Sequence, residues 1–267
     1  MKLMLLSWIA ISTSTAGASL AEPAPFSPYR AEYTVARGGS DIGLLDAELT
    51  RREDGLWHYS IESRATAFFV RMLGISTTET GWMEWRNGQV RPLTYHNVSS
   101  GPRRNRFWQN RYDWQDAVVQ ISAWDGDYVP ELPTGAVDPL ALRLEAIARI
   151  SNMAPEFSSF EIDVVERDEL ERQQYNFLGL ETVEIDGRCY RTAKFERFRK
   201  PESGRNYQVW HARELGWLPV RIAHVDDGKP IEIELAALES DAYSLPPRQA
   251  CTEEAQPDRD MSQPLSR

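Results

Sequence analysis

The sequence predicts a mainly β protein, folded as one large curled antiparallel sheet or open barrel of about a dozen strands with one covering α-helix. Three observations predict this fold. Apolar and polar residues alternate through most of the chain, turn pairs such as Asn-Gly and Asp-Gly separate these segments, and only one stretch has clear helical spacing of its apolar residues. Because strongly twisted open sheets of this size curl or close, we expect a concave face rather than a flat one.

Strands are predicted along both halves of the chain, wherever alternation runs between turn residues. In the first half they cover residues 33–36, 42–51, 56–64, 77–85, 90–98, 107–113 and 118–124. In the second half they cover residues 159–165, 174–180, 181–185, 190–198, 206–211, 218–225 and 231–238. Pairs typical of hairpin turns stand at Gly38-Gly39, Asp54-Gly55, Asn87-Gly88, Asp186-Gly187 and Asp227-Gly228.

One helix is predicted between the two β-rich halves, over residues 138–150. Its apolar residues recur on one helical face, at Leu140, Leu144, Ile147 and Ala148. Asp138 suits the N-cap position and Pro139 the first helical position, since proline needs no hydrogen-bond partner there. A second, short helix over residues 67–73 is left open.

The N-terminus has the pattern of a cleaved secretory signal peptide, predicted over residues 1–21. A basic start is followed by the apolar run 3–11 and by Ser19-Leu20-Ala21. The run is too short to span a bilayer, and no later segment is long and apolar enough to do so. We expect a periplasmic protein with a single β-rich domain over residues 22–240 and a polar, partly disordered tail over residues 241–267.

The charge and the cysteines constrain the partners and the compartment. The formal net charge is −10, which disfavours nucleic acid and anionic membrane as general partners. The two cysteines, Cys189 and Cys251, are expected to form a disulfide in an oxidising compartment and so to hold the tail. Two unrelated thiols are the alternative. A zinc site is disfavoured because no paired histidines accompany the cysteines.

Residues 103–114 read RRNRFWQNRYDW and combine four arginines with four aromatic rings. In a strand, alternate side chains share a face, which here places these residues together: Arg104, Arg106, Trp108, Asn110 and Tyr112. One interpretation is a solvated strand on which arginines stack against rings. The other is a platform for an anion or a sugar, in which arginines neutralise a phosphate or carboxylate.

The sequence contains no motif that identifies a reaction. Gly-x-Ser-x-Gly, Ser-x-x-Lys, His-Glu-x-x-His and glycine-rich phosphate loops are absent, and the four histidines are scattered over predicted strands. We therefore predict no catalytic residue, no metal and no cofactor. Acidic residues in predicted strands could still face a cavity, and a carboxylate pair of the glycosidase type remains a minor alternative.

Tryptophan is abundant, with nine residues in the chain. In strands such rings mostly fill cores, yet several of them could also line a concave apolar pocket. We select as candidate ligand-binding residues four rings and two arginines at the rim of the pocket: Trp82, Trp108, Tyr112 and Trp210, with Arg104 and Arg106.

Several short segments together resemble the exported bacterial family called domain of unknown function 3108 (DUF3108). They are Tyr33 with Gly43, Pro92-x-x-Tyr95, Asp138-Pro139-Leu140, and Val209-Trp210 followed by Leu218-Pro219-Val220-Arg221-Ile222. The resemblance covers residues 28–240. The C-terminal part is also similar to lipoprotein carriers of the LolA/LolB kind and to sigma-factor-regulator folds, which implies a curled antiparallel sheet with helical cover that holds acyl chains. No catalytic residue is carried over.

These patterns favour a non-enzymatic periplasmic protein that binds an apolar or amphipathic cell-envelope ligand in a concave β sheet. A lipid, a lipoprotein or a glycolipid would suit that site. The alternative is a scaffold or chaperone-like protein in envelope assembly, which would offer an exposed apolar patch or an open sheet edge to an envelope protein. An envelope hydrolase acting through paired carboxylates is a third possibility.

Overall fold

A computed structural model describes residues 23–72, 74–101, 105–200, 205–249 and 251. In these ranges the chain forms fourteen strands and two α-helices, which confirms the predicted mainly β fold with one substantial helix. The first eight strands are β1 Tyr29–Arg37, β2 Ser40–Arg51, β3 Trp57–Ala65, β4 Ser76–Arg86, β5 Gln89–Ser100, β6 Arg106–Asp113, β7 Val118–Ala123 and β8 Gly126–Tyr128. The others are β9 Phe160–Val165, β10 Leu170–Ile185, β11 Arg188–Lys200, β12 Arg205–Ala212, β13 Leu218–Asp226 and β14 Lys229–Glu239. The helices are α1 Phe68–Met72 and α2 Ala141–Met153.

All fourteen described strands belong to one antiparallel sheet built from two meanders. Strands β1 to β8 follow one another in space, as do β9 to β14, and the two series are joined where β1 pairs with β14. The two edges of the sheet are therefore β8 and β9. The predicted strands at 174–180 and 181–185 are in fact one strand, β10, which is interrupted by a register shift between Phe177 and Gly179.

Turn chemistry determines the register of several hairpins. Asn87, Asp186 and Asp227 have positive φ angles of 53°, 50° and 47°, and each is followed by a glycine that also has positive φ. This left-handed backbone matches the twist of two antiparallel strands, which is why Asn-Gly and Asp-Gly are favoured in tight hairpins. The hairpins predicted at these pairs are confirmed.

A connecting segment, residues 130–137, runs between the two edges of the sheet. At its start the Leu132 N–H donates to the Ala117 carbonyl at 2.8 Å, beside β7. At its end the Val165 N–H donates to the Val137 carbonyl at 2.7 Å, beside β9. The edges do not pair with each other directly, but this segment spans the gap between them and gives the sheet a barrel-like shape.

Helix α2 packs against one face of the curled sheet, which we call the inner face. Eight residues of the helix are buried: Ala141, Leu142, Leu144, Glu145, Ala146, Ile147, Ala148 and Ile150. Six of them, all except Glu145 and Ala148, join buried side chains of the inner face, among them Tyr29, Tyr59 and Met83, in one hydrophobic cluster. Full burial of each large aliphatic side chain stabilises a fold by roughly 1.5–3 kcal/mol, so this helix contributes much of the driving force for curling.

The C-terminal tail is attached to the hairpin between β10 and β11. A disulfide joins Cys189 to Cys251, as predicted, with the two Cα atoms 5.5 Å apart. The Gln249 N–H also donates to the Gly187 carbonyl at 2.7 Å, so backbone and covalent contacts hold the same stretch. The predicted signal peptide and the predicted disorder of residues 252–267 lie outside the described residues. Among the helices described, none has the length and apolar character to cross a membrane.

We expect removal of the disulfide to lower the free energy of unfolding. The bond links residues separated by 62 positions, and the chain-entropy model gives up to about 4 kcal/mol for a loop of this size. Urea unfolding of the Cys189→Ser/Cys251→Ser double variant should therefore show a lower midpoint. A reducing agent should lower the midpoint of the native chain and leave that of the double variant unchanged; equal midpoints for the two oxidised proteins would contradict the stabilising role.

Candidate functional site

The two ends of the inner face differ, because helix α2 covers only one of them. Helix α2 covers the end that carries the turn at Asn87, where the Glu145 Oε2 atom accepts a hydrogen bond from the Val90 N–H at 2.9 Å. Towards the opposite end, which carries the turn at Gly38, the inner-face side chains keep partial exposure. We call that end of the inner face the hollow, and its lining falls into two chemically distinct walls.

The first wall of the hollow is apolar and comes from β1, β2, β13 and β14. Val35 lies opposite Ile233, which in turn lies opposite Ile222. Leu45 lies one row deeper, opposite the buried Tyr33. All four aliphatic side chains are half-buried, so each of them leaves part of its apolar surface exposed. This wall therefore offers apolar surface that a hydrophobic chain could cover.

The second wall is polar and comes from β3, β4 and β5. The Ser99 hydroxyl donates to the Asn97 Oδ1 atom at 3.1 Å, and the Asn97 amide donates to the Tyr95 hydroxyl at 3.3 Å. The same ladder includes Thr77, whose N–H donates to the Ser63 hydroxyl oxygen at 3.0 Å. These side chains hold one another, so the wall is ordered without help from a ligand.

A partly buried ion pair lies at the base of the polar wall. The Arg143 Nη2 atom of α2 lies 3.5 Å from the Glu79 Oε1 atom, and the Tyr95 hydroxyl donates to Glu79 Oε2 at 2.9 Å. Burial lowers the pKa of Arg143, but the nearby Glu79 carboxylate outweighs this and raises the pKa above its ordinary value. The guanidinium is therefore charged at any physiological pH.

Arg143 has unused capacity to bind an anion. Its side chain is 33% exposed, whereas the other residues of α2 on this face are almost fully buried. Its Nη1 atom is buried and has no hydrogen-bond partner within the described chain. A buried N–H without a partner is costly, and a carboxylate or phosphate oxygen would satisfy it with a charge-assisted bond.

Three tyrosines lie near Arg143, two of them on β1 and one on β3. The Tyr29 hydroxyl donates to the Tyr59 hydroxyl at 2.9 Å, and the Tyr33 hydroxyl donates to the Pro219 carbonyl at 3.0 Å. Burial raises the pKa of all three, while Arg143 acts in the opposite direction. The hydroxyls therefore remain neutral donors and do not supply a nucleophile or a base.

Three of the six predicted ligand-binding residues share the inner face. Trp108 and Tyr112 share a face of β6 with the buried Asn110, as the strand prediction required, and Arg106 precedes them on the same face. Trp108 packs beside Tyr95 with ring centroids 5.8 Å apart. Arg106 is exposed and lies 5.1 Å from the centroid of the Trp124 ring. Arg104 lies outside the described residues.

Two of the predicted residues lie on the outer face instead. Trp82 alternates with the buried Gly81 and Met83, and its ring lies 4.6 Å from that of His58. Trp210 alternates with Val209 on β12, where Lys194 covers it with its ammonium nitrogen 4.4 Å from the ring centroid. The structure therefore does not bring the six residues together.

Sequence reasoning did not select Arg143, although a signal was present. Arg143 is three residues after Leu140 and four before Ile147, so it belongs to the same buried helical stripe. A cation within such a stripe requires an acidic partner, and Glu79 lies within the strand predicted over residues 77–85. Among the residues that the structure describes, no group of three or more His, Cys, Asp or Glu side chains is arranged to hold a metal ion.

The family follows from comparison of the whole domain. A family model described as a protein of unknown function, DUF3108, matches residues 29–236. The chain belongs to the DUF3108 family. That match covers all of the sheet except the very end of β14, so the DUF3108 domain includes both walls of the hollow and helix α2. Comparison with curated proteins gave no match.

Solved structures support the fold of this DUF3108 protein. It is similar to a crystal structure of a β-barrel-like protein of domain of unknown function DUF1849 from Brucella abortus, with a TM-score of 0.55 and 10% identity. That match covers 80% of this chain and 98% of the other. A DUF1329 family protein from Desulfovibrio piger matches at 12% identity over 80% and 85% of the two chains, with a TM-score of 0.22. The first likeness agrees with the curled antiparallel sheet that the sequence resemblance implies.

Asp138 sets the position of the helix that carries Arg143. Its Oδ1 atom accepts hydrogen bonds from the N–H groups of Leu140 and Ala141 at 2.8 and 2.7 Å, so it satisfies donors at the start of the helix as expected. The helix itself begins at Ala141, with Leu140 at the N-cap position, and not at the predicted residue 138. The residue is fully buried, and its Oδ2 atom has no partner in the described chain. Burial raises the pKa of Asp138 to about 7, although the two backbone N–H groups lower it.

We expect the Asp138→Asn variant to gain stability relative to the native chain as pH rises from about 4 to about 7. The pKa of Asp138 is higher in the folded state than in the unfolded state, so the native state binds more protons in that window. The stability of the native chain therefore falls by roughly 1 kcal/mol per pH unit, because Asp138 ionises in the unfolded chain while it stays protonated in the folded one. Asparagine keeps the capping oxygen without this cost. Urea unfolding at several pH values measures the difference. The exposed Asp41→Asn is the control, and a difference that does not change with pH would contradict the expectation.

Proposed function

We propose that this DUF3108 protein is a non-enzymatic periplasmic binder of an amphipathic cell-envelope molecule that carries an acyl chain and an anionic head group. The observation that carries the proposal is the arrangement of the hollow. A half-buried aliphatic wall faces an ordered polar wall, and the free Nη1 atom of Arg143 lies at the base of the polar side. A ligand with one apolar and one anionic part matches both walls at once.

The acyl chain would lie along Val35, Leu45, Ile222 and Ile233. Each buried methylene contributes about 0.8 kcal/mol, so a chain of modest length supplies enough free energy for stable binding. Arg143 would bind the carboxylate or phosphate of the head group, because a guanidinium matches the geometry of both anions. The hydroxyl and amide groups of the polar wall would surround the linkage between head and chain.

The compartment is inferred from the N-terminal sequence and from the disulfide. Residues 1–21 have the pattern of a secretory signal peptide. The Cys189–Cys251 bond is of the kind that persists in oxidising compartments. Cell-envelope lipids, lipoproteins and glycolipids are the amphipathic molecules that a periplasmic protein meets.

A second candidate function, a scaffold in envelope assembly, is favoured by one surface feature. The segment around α1 exposes large apolar side chains, with Phe68 at 77%, Met72 at 73% and Ile75 at 44%. This segment connects β3 to β4 and lies at the same end of the sheet as the hollow. Exposed apolar groups of this kind mark sites of contact with a protein or a membrane. A protein or membrane that delivers the ligand, or takes it up, would therefore bind at this end of the sheet.

Binding of a fatty acid probe tests the proposed function. We expect delipidated protein to bind cis-parinaric acid, whose fluorescence rises in an apolar environment, and Leu45→Ser to weaken this binding by about fivefold or more. Leu44→Ser is the matched control, because Leu44 is also half-buried but alternates onto the outer face of the same strand. Equal effects of the two substitutions, or no binding by the native chain, would contradict the proposal.

The head-group contact is tested separately. Arg143→Gln should weaken binding of cis-parinaric acid about tenfold, because a hydrogen bond between a charged donor and a carboxylate is lost, and should have a much smaller effect on the uncharged methyl ester. The ratio of the two affinities is independent of any general loss of stability in the variant. A similar loss for acid and ester would show that Arg143 only supports the fold.

A further inference from the structure

The outer face of the sheet carries a second concavity, a groove of about 590 Å³ on β4 to β7 that is bounded on one side by β8. We call it the outer groove. It lies on the side of the sheet opposite the hollow, and it is formed by side chains that alternate with the buried residues of the same strands. Its volume falls within the range of small-molecule sites.

Strand register arranges the floor of the outer groove as two rows of side chains. In the first row Trp82 lies opposite Thr94, Thr94 opposite Arg111, and Arg111 opposite Gln120. The second row is built in the same way from Thr80, His96, Gln109 and Ser122. Residues that lie directly opposite each other in an antiparallel sheet have Cβ atoms roughly 5 Å apart, so each row is a continuous strip.

Five polar side chains of this floor have no partner among the residues that the structure describes. In the described part of the chain, no hydrogen bond or ion pair is made by the side chains of Thr94, His96, Gln109, Arg111 or Gln120. Elsewhere on the sheet, arginines are paired with cross-strand acids: Arg30 with Glu48 at 3.1 Å, Arg64 with Asp46 at 3.0 Å and Arg221 with Glu234 at 2.6 Å. Arg111 instead has the uncharged Thr94 and Gln120 as its opposite neighbours.

We propose that the outer groove binds an acidic saccharide. Hydroxyl and amide side chains both donate and accept hydrogen bonds, as the hydroxyl groups of a sugar require. The half-buried Trp82 indole at the end of the first row, whose ring also contacts His58 and the Arg52 guanidinium, is a rigid apolar surface against which the C–H face of a pyranose ring can pack. Arg111, in the middle of the row, would form the bidentate pair with a carboxylate or phosphate on the saccharide.

The composition of the groove distinguishes this ligand from others. Arg111 and Asp127 are the charged residues among the described lining residues, and Asp127 lies at the end of the second row, opposite Ser122, while Arg111 lies in the first row. A single cation beside an acid suits one negative charge bound at Arg111 and not a polyphosphate or a nucleic acid. The apolar side chains of the groove are limited to Trp82 and the β8 side with Tyr128 and Val129, because the Ile121 side chain is buried on the inner face, so the groove lacks the continuous apolar wall that an acyl chain needs. Saccharide binding in the outer groove is independent of lipid binding in the hollow, since the two sites lie on opposite faces of the sheet.

Titration calorimetry with two defined probes tests the proposal. A trisaccharide of galacturonic acid should bind the native chain, and neutral maltotriose should bind about tenfold or more weakly. Arg111→Gln should reduce the affinity for the acidic probe about tenfold, because a charge-assisted pair is lost, and should leave the neutral probe nearly unchanged. Trp82→Ala should abolish binding of both probes.

The matched control is Arg30→Gln, which removes an exposed outer-face arginine away from the groove. It should leave both affinities unchanged. The proposal is overturned if the native chain binds neither probe, or if Arg111→Gln and Arg30→Gln weaken the acidic probe equally. Should Trp82→Ala fail to fold, as judged by circular dichroism, the exposed Arg111→Gln variant decides the outcome alone. Binding of cis-parinaric acid should be unaffected by Arg111→Gln, which separates failure at the groove from failure at the hollow.

Discussion

The pairing of the first strand with the last holds the molecule together as one sheet. Residues of β1 lie opposite residues of β14 about two hundred positions later, as Thr34 does opposite Glu234. Without this ladder the chain would be two separate meanders, each with an additional exposed edge. With it, the two halves form a continuous inner face that α2 can cover, and the walls of the hollow meet across the joined strands.

Local sequence patterns predicted the strands well because turn chemistry and alternation are local. The pairs at Asn87, Asp186 and Asp227 adopt the left-handed backbone they were expected to adopt, and they fix the hairpin registers around them. The pairing of β1 with β14 and the path of residues 130–137 between β7 and β9 could not be predicted in this way. Both depend on contacts between residues distant in sequence, which only the closing of the whole sheet brings together.

Alternation predicted which side chains share a face but not which face is covered. Arg106, Trp108 and Tyr112 lie together as expected, yet Trp82 and Trp210 lie on the opposite side of the sheet. The register shifts beside Trp82 and Trp210 do not change the faces of these two rings, because the extra residue lies on the neighbouring strand in each case, at Leu93 of β5 and at Val220 of β13. An extra residue reverses the orientation of the side chains beyond it on its own strand, and nothing in the residue types at these positions signals the shift.

Strands β4 and β5 contribute both to the polar wall of the hollow and to the floor of the outer groove. On β5, Tyr95 and Asn97 belong to the buried network, while Thr94 and His96 project from the other side. The bond from Tyr95 to Glu79 and the pairing of Glu79 with Arg143 therefore fix the backbone from which the outer side chains extend. Preorganisation reduces the entropy lost on binding, so a network that stabilises one face also prepares the other. This arrangement explains how a groove of unpaired polar side chains can have a defined shape: its order comes from the opposite side of the sheet.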